Sequence, residues 1–357
     1  MRAATIAKPP SRRFDSLDGL RGCAALGIVL YHLGLRDPAA MWVPHGYLAV
    51  DLFFGLSGVV IAHAYEQKLL TGLGLPEFLR ARLARLYPLY ALGLGLGALA
   101  FSLAVPTSVE AATALAAALS TGALVIPMVT SEATFPLNAP LWSLFCELVI
   151  NLAYGACVRF LTTTRLLVVI ALSAVGLAIC SWRGDGLEGG DDPVTFLTGL
   201  VRVGFSFPVG ILIYRLHVAG ILPRGRLFLP LAVCGLSALM TIPLTGASNY
   251  ILDFVLVGLA CPLILVFGLQ ADAGLLGRAC AAIGALSYPI YVVHQPMFVI
   301  THLWLAEHAV GWSLAIGVPA SCLAAWLALR FESNLRRLFG TSRAKAYIAA
   351  EAPTREM

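Results

Sequence analysis

Apolar residues recur in runs of about twenty from near the start of the chain almost to its end, broken by short polar segments. That is the pattern of helices crossing roughly 30 Å of hydrocarbon. Successive runs cover residues 20–36, 46–65, 87–105, 110–127, 140–159, 166–182, 194–214, 227–244, 250–270, 282–305 and 311–330. The fold class read from this pattern is all-α, a polytopic transmembrane helical bundle. Its proposed divisions are a basic cytoplasmic arm (1–16), a transmembrane domain (17–332) and a basic cytoplasmic tail (333–357).

Charge sets the orientation. Cytoplasmic loops of membrane proteins collect Lys and Arg. Arg80, Arg82 and Arg85 fall in the segment read as the loop after the second run, and Arg159 and Arg165, Arg215 to Arg226, Arg278, and Arg330 to Lys345 mark further junctions. The acidic stretch GDGLEGGDDP falls on the other side. With the N-terminus inside, three runs between residues 87 and 159 must make two crossings. The Ala-rich 110–127 run is the weakest, so the expectation is about ten spans, with that segment re-entrant or lying at the outer surface. Both termini are then cytoplasmic, in the inner membrane. The N-terminal arm carries no apolar core of a cleaved signal peptide.

Composition narrows the function. Of 357 residues, 59% are hydrophobic and 12% charged, which closes the soluble classes. The net charge of +5 sits in short inter-span clusters, so nucleic acid is not an expected partner, whereas membrane lipids are. Eight cysteines lie mostly within apolar runs and contain no CxxC pair; they read as core residues, and no metal is expected.

Ionisable groups inside the spans carry the candidate chemistry, because such groups are costly in lipid. His32 follows Arg21 by eleven residues, nearly three turns, which places both on one face roughly 16 Å apart. Counted from the span ends, Asp51 lies about 7 Å and Glu147 about 10 Å below the outer edge, and His294 about 18 Å above the inner edge. Four groups from four spans thus reach similar depth, and a carboxylate beside an imidazole can hold its tautomer and raise its basicity. Arg202 is a fifth member of the set or a neutraliser of one acid. Arg82 and Arg85, three residues apart, share a helix face and with Arg80 and Arg21 suit a phosphate-bearing ligand. His45, His302, His308 and His217 read as solvated, and His63 as near the inner end of the second span.

Four segments, in this order, resemble the integral-membrane acyltransferase family 3: FDSLDGLRGCAALGIVLYH (14–32), GYLAVDLFFGLSGVVIAHAY with FLRARLARLYPLY (46–65 and 78–90), APLWSLFCELV (139–149) and LSYPIYVVHQP (286–296). The resemblance implies an O-acyltransferase that moves an acyl group, expected to be acetyl, from cytoplasmic acyl-CoA to a hydroxyl of a glycan, glycolipid or other extracytoplasmic acceptor. It matches Arg21 and His32 to the arginine and the proposed catalytic histidine of the first span, and Asp51, Ser57 and Gly58 to the second motif. It puts Arg82 and Arg85 near acyl-CoA, and brings Glu147 and His294 into the site. Family members often carry a second acid after the glutamate; here Leu148 follows. An appended hydrolase-like domain, common in relatives, is not expected here. The rival reading from the residues is a proton-coupled exporter or flippase whose buried acids and histidines relay protons.

Overall fold

A computed structural model describes residues 14–184, 186–243, 246, 249–304 and 311–339, with side chains at 311–315 and 333–339 not described. Most of the basic arm, the tail beyond residue 339 and His308 lie outside them. The described residues form an all-α bundle: α1 (Asp15–Arg36), α2 (Gly46–Leu70), α3 (Leu75–Ala104), α4 (Val109–Ala123), α5 (Leu141–Phe160), α6 (Thr163–Arg183), α7 (Phe196–Val218), α8 (Phe228–Thr241), α9 (Asn249–Gln270), α10 (Gly274–Trp304) and α11 (Gly311–Phe339). Seven of them, α2, α3, α5, α6, α7, α9 and α10, are each long and apolar enough to cross a membrane. The other four bring the upper bound to eleven, and the expected ten spans fall within that range.

α4 has 15 residues, about 22 Å of rise, short of the hydrocarbon thickness. Its last turn stops against α3, where Tyr87 and Tyr90 donate to the carbonyls of Ala123 and Gly122. The chain then turns back, and Thr134 bonds the Asp191 carbonyl through both its amide (2.7 Å) and its hydroxyl (2.9 Å). This short helix is thus held against α3, and the segment after it is tied to the loop after α6.

α1 lies in the middle, buried along most of its length and packed lengthwise on α10, with α2 beside it. Small residues let α1 and α10 approach closely, the usual device where the solvent is itself apolar. A Cβ at Gly22 would stand 2.9 Å from the Ile283 carbonyl, and one at Gly284 2.6 Å from the Asp18 carbonyl oxygen. α2 and α7 meet in the same way at Gly58 and Gly210.

Two expectations require correction here. The segment holding Arg80, Arg82 and Arg85 is not a loop: after Gly74, with Pro at the first turn, nothing breaks the helix, and α3 runs from Leu75 without interruption. His45 is not solvated. It is 0% exposed, because the turn before α2 folds under α9 and brings its ring to the Ile242 carbonyl (2.7 Å) and Asn249 Oδ1 (2.9 Å). His302 and His63 are exposed, and His217 is half-buried against Gln270.

Candidate active site

α1 and α10 each carry one histidine to their shared seam. His294 Nε2 lies 3.2 Å from His32 Nδ1. Each ring also approaches its own helix one turn back, His32 Nδ1 to Ile28 O at 3.0 Å and His294 Nδ1 to Ile290 O at 3.1 Å. A carbonyl oxygen only accepts, so each Nδ1 carries the proton and each Nε2 a lone pair. His32 Nδ1–H is then shared between Ile28 O and the lone pair of His294, and His32 Nε2 is the basic atom of the pair. Tyr31, Tyr291 and Phe298 surround the rings at centroid distances of 5.4 to 6.0 Å.

A proline helps to build this seam. Pro296 has no N–H to give to the Val292 carbonyl one turn back. Asn138, from the segment returning after α4, supplies the missing donor at 2.8 Å and also reaches Gly93 O on α3 at 3.3 Å. The same return brings Ser143 to Tyr291, 2.7 Å between hydroxyls.

His32 is eleven residues above Arg21 as expected, yet only four residues, about 6 Å, from the end of α1. On α10 His294 lies ten residues before the helix end at Trp304, so the shared seam reaches the pair at different distances from the two helix ends. Arg21, near the other end, is bound to α10 itself through Ser287 Oγ (2.8 Å) and Gly284 O (2.8 Å), with Asp18 at 3.1 Å.

The two carboxylates do not join the histidines. Asp51 is engaged by Arg202 at 2.7 Å and approached by Ser206 at 3.4 Å. Arg202, 1% exposed, also donates to Tyr47 O and Gly189 O and lies over the Trp142 ring. Glu147 receives Arg82 at 2.9 Å and Ser57 at 2.8 Å. Arg82 is 4% exposed, with its guanidinium turned inward to that carboxylate, whereas Arg85 is half-buried and Arg80 exposed. Equal depth along separate helices does not give equal direction around them, and each acid met an arginine first.

Residues not singled out from the sequence complete the surroundings. Tyr31 donates to Glu188 in the loop after α6, and Tyr47 donates to Asp253 at 2.8 Å. Tyr291 was within reach of pattern reasoning, since it precedes His294 by three residues and so shares its face. Glu188 was not, because its position depends on how the loop folds.

A family model described as an acyltransferase domain matches residues 14–330. Protein 2 in the picA locus of Rhizobium radiobacter is 44% identical over 193 residues, 49% of this chain and 98% of that protein. O-acetyltransferase OatA of Staphylococcus aureus is 40% identical over 79 residues, 22% of this chain and only 12% of OatA. No solved structure matches the chain.

Proposed function

The chain belongs to the acyltransferase family, and from that premise we propose that it is a membrane O-acetyltransferase whose base is His32. The donor in this reading is acetyl-CoA, or another acyl-CoA, held at the arginine-rich end, which faces the cytoplasm. The acceptor is a hydroxyl of a glycan, glycolipid or other extracytoplasmic molecule presented at the opposite end.

The single observation that carries the reading is the His32–His294 contact of 3.2 Å, which leaves a lone pair on His32 Nε2. His32 Nε2 takes the proton of the acceptor hydroxyl as its oxygen attacks the thioester carbonyl. The new C–O bond forms, the C–S bond breaks, and the proton passes from His32 to the departing sulfur, releasing the ester and free CoA. While His32 is charged, its Nδ1–H is held by the lone pair of His294, so His294 positions the base and stabilises its cation. General-base catalysis of this kind supplies about 10²- to 10⁴-fold.

The two ends differ in a way that suits the two substrates. Arg80, Arg159, Arg165, Arg224, Arg226 and Arg278 crowd one end, in keeping with the positive-inside rule and with a polyphosphate donor. At the other end Tyr31, beside His32, meets Glu188. An aromatic face next to a carboxylate acceptor fits a polyhydroxylated ring. Arg82 is turned inward to Glu147, so in this reading Arg80 and Arg85 are better placed than Arg82 for phosphate.

The test is chemical analysis of envelope glycans. Cells lacking the chain lose one acetyl ester, wild type restores it, and His32→Ala does not. Restoration by His32→Ala would remove the basis of the reading.

A further inference from the structure

Asn151 on α5 is 0% exposed, and among the described residues neither its Oδ1 nor its Nδ2 has a hydrogen-bond partner. A primary amide carries two donors and an acceptor oxygen with two lone pairs, and burying it unsatisfied is unfavourable enough that such groups call for an explanation. Its neighbours along the helix are all paired. Ser143 bonds Tyr291, Glu147 takes Arg82 and Ser57, and Tyr154 donates at 2.8 Å to Glu66, which also receives Arg215. Positions 143, 147, 151 and 154 recur every three or four residues and so form one polar line, about 16 Å long, down α5.

That line connects the two ends of the proposed reaction. Its upper member reaches Tyr291, whose ring is 6.0 Å from that of His294. Its lower member reaches the arginine-rich end through Arg215. Beside it, α2 abandons the α pattern for a π turn at Ala62–Glu66, a distortion frequent at functional sites.

We propose that Asn151 is a docking point for a secondary amide of the donor's pantetheine arm, an inference that rests on acyl-CoA being the donor. Nδ2–H donates to the ligand carbonyl and Oδ1 accepts the ligand N–H, so one secondary amide satisfies both sides of the side chain. A phosphate, which only accepts, would leave Oδ1 without a donor. Asn151 stands about 12 Å along α5 from Ser143, the level of Tyr291, so a thioester at His32 would trail its arm past this position.

The experiment is equilibrium binding to the full chain in lipid nanodiscs, with acetyl-CoA, acetyl-pantetheine and adenosine bisphosphate, the nucleotide end without the arm. Asn151→Leu weakens the first two about tenfold, the loss of two ordinary hydrogen bonds, and leaves the third unchanged. Unaltered acetyl-CoA binding would mean that water fills the site and would overturn the proposal, as would equal weakening of all three ligands. Asn151→Ser serves the same comparison if the leucine variant does not accumulate. If the wild-type chain binds neither acetyl-CoA nor acetyl-pantetheine, the donor reading itself fails, a result distinguishable from failure at Asn151.

Discussion

His294 Nε2 stands 3.2 Å from His32 Nδ1, and the two rings belong to helices separated by 262 positions in the chain. Because both Nδ1 atoms face carbonyl oxygens, the order of donors and acceptors runs one way, from His32 to His294 to Ile290. This order assigns unequal roles to two residues of the same type. His32→Ala removes the base and lowers transfer by about 10²- to 10⁴-fold. His294→Ala leaves the base but not its support, so kcat falls while donor affinity stays near wild type. Steady-state kinetics with each variant checks this; a His294→Ala loss confined to KM would contradict it.

Glycine contacts far from the rings hold them together. Gly22→Leu would drive a side chain into the Ile283 backbone of α10, and the two helices must part. Overpacking of this kind costs about 1–3 kcal/mol. Misplacing His294 by about 1 Å lowers turnover by about a hundredfold even though residue 22 touches no substrate. Thermal unfolding and turnover, measured together, check both effects.

Arg82, 4% exposed, pairs with Glu147, 17% exposed, so removing the carboxylate leaves a buried guanidinium while removing the arginine leaves a partly solvated carboxylate. Glu147→Ala should cost about 3 kcal/mol of stability and Arg82→Ala less, with the double variant recovering part of the larger loss. A double-mutant cycle by thermal unfolding is the measurement. Additive losses would mean that the two groups act separately.

Asp51 and Arg202 make the corresponding prediction near the other end. Arg202 ties α7 to α2 and to the loop carbonyl of Gly189, so Asp51→Asn should destabilise the protein rather than abolish the chemistry. The fraction that stays folded should turn over within a few-fold of wild type. Normal stability combined with no turnover would return Asp51 to the reacting atoms.

Tyr31→Phe removes the hydroxyl that holds Glu188 and keeps the ring beside His32. The expected result is a rise in acceptor KM of about threefold to tenfold, the value of one hydrogen bond, with donor KM unchanged. Competition between acceptor glycans at fixed acetyl-CoA measures it.

The helices and the all-α bundle were legible because each helix depends on the local apolar pattern. The partners of the acids were not. Depth follows from counting residues, whereas direction depends on how helices rotate against one another, and Asp51 and Glu147 turned toward Arg202 and Arg82. His45 looked solvated because a polar residue in a loop ordinarily is; only the fold shows α9 covering it. The apolar run begins only at Tyr87 and so suggests a loop around Arg82, yet the helix already starts after Gly74 and the arginine is buried. Asn138 acts on a proline 158 positions away, a relation no local pattern contains.

The central claim is that His32 is the base of an acetyl transfer that runs through this bundle. Purified chain in nanodiscs, given radiolabelled acetyl-CoA and an envelope glycan fraction, measures it most directly. The account predicts label in the glycan with wild type and a loss of at least a hundredfold with His32→Ala, while that variant binds acetyl-CoA normally. Undiminished transfer by His32→Ala would contradict it.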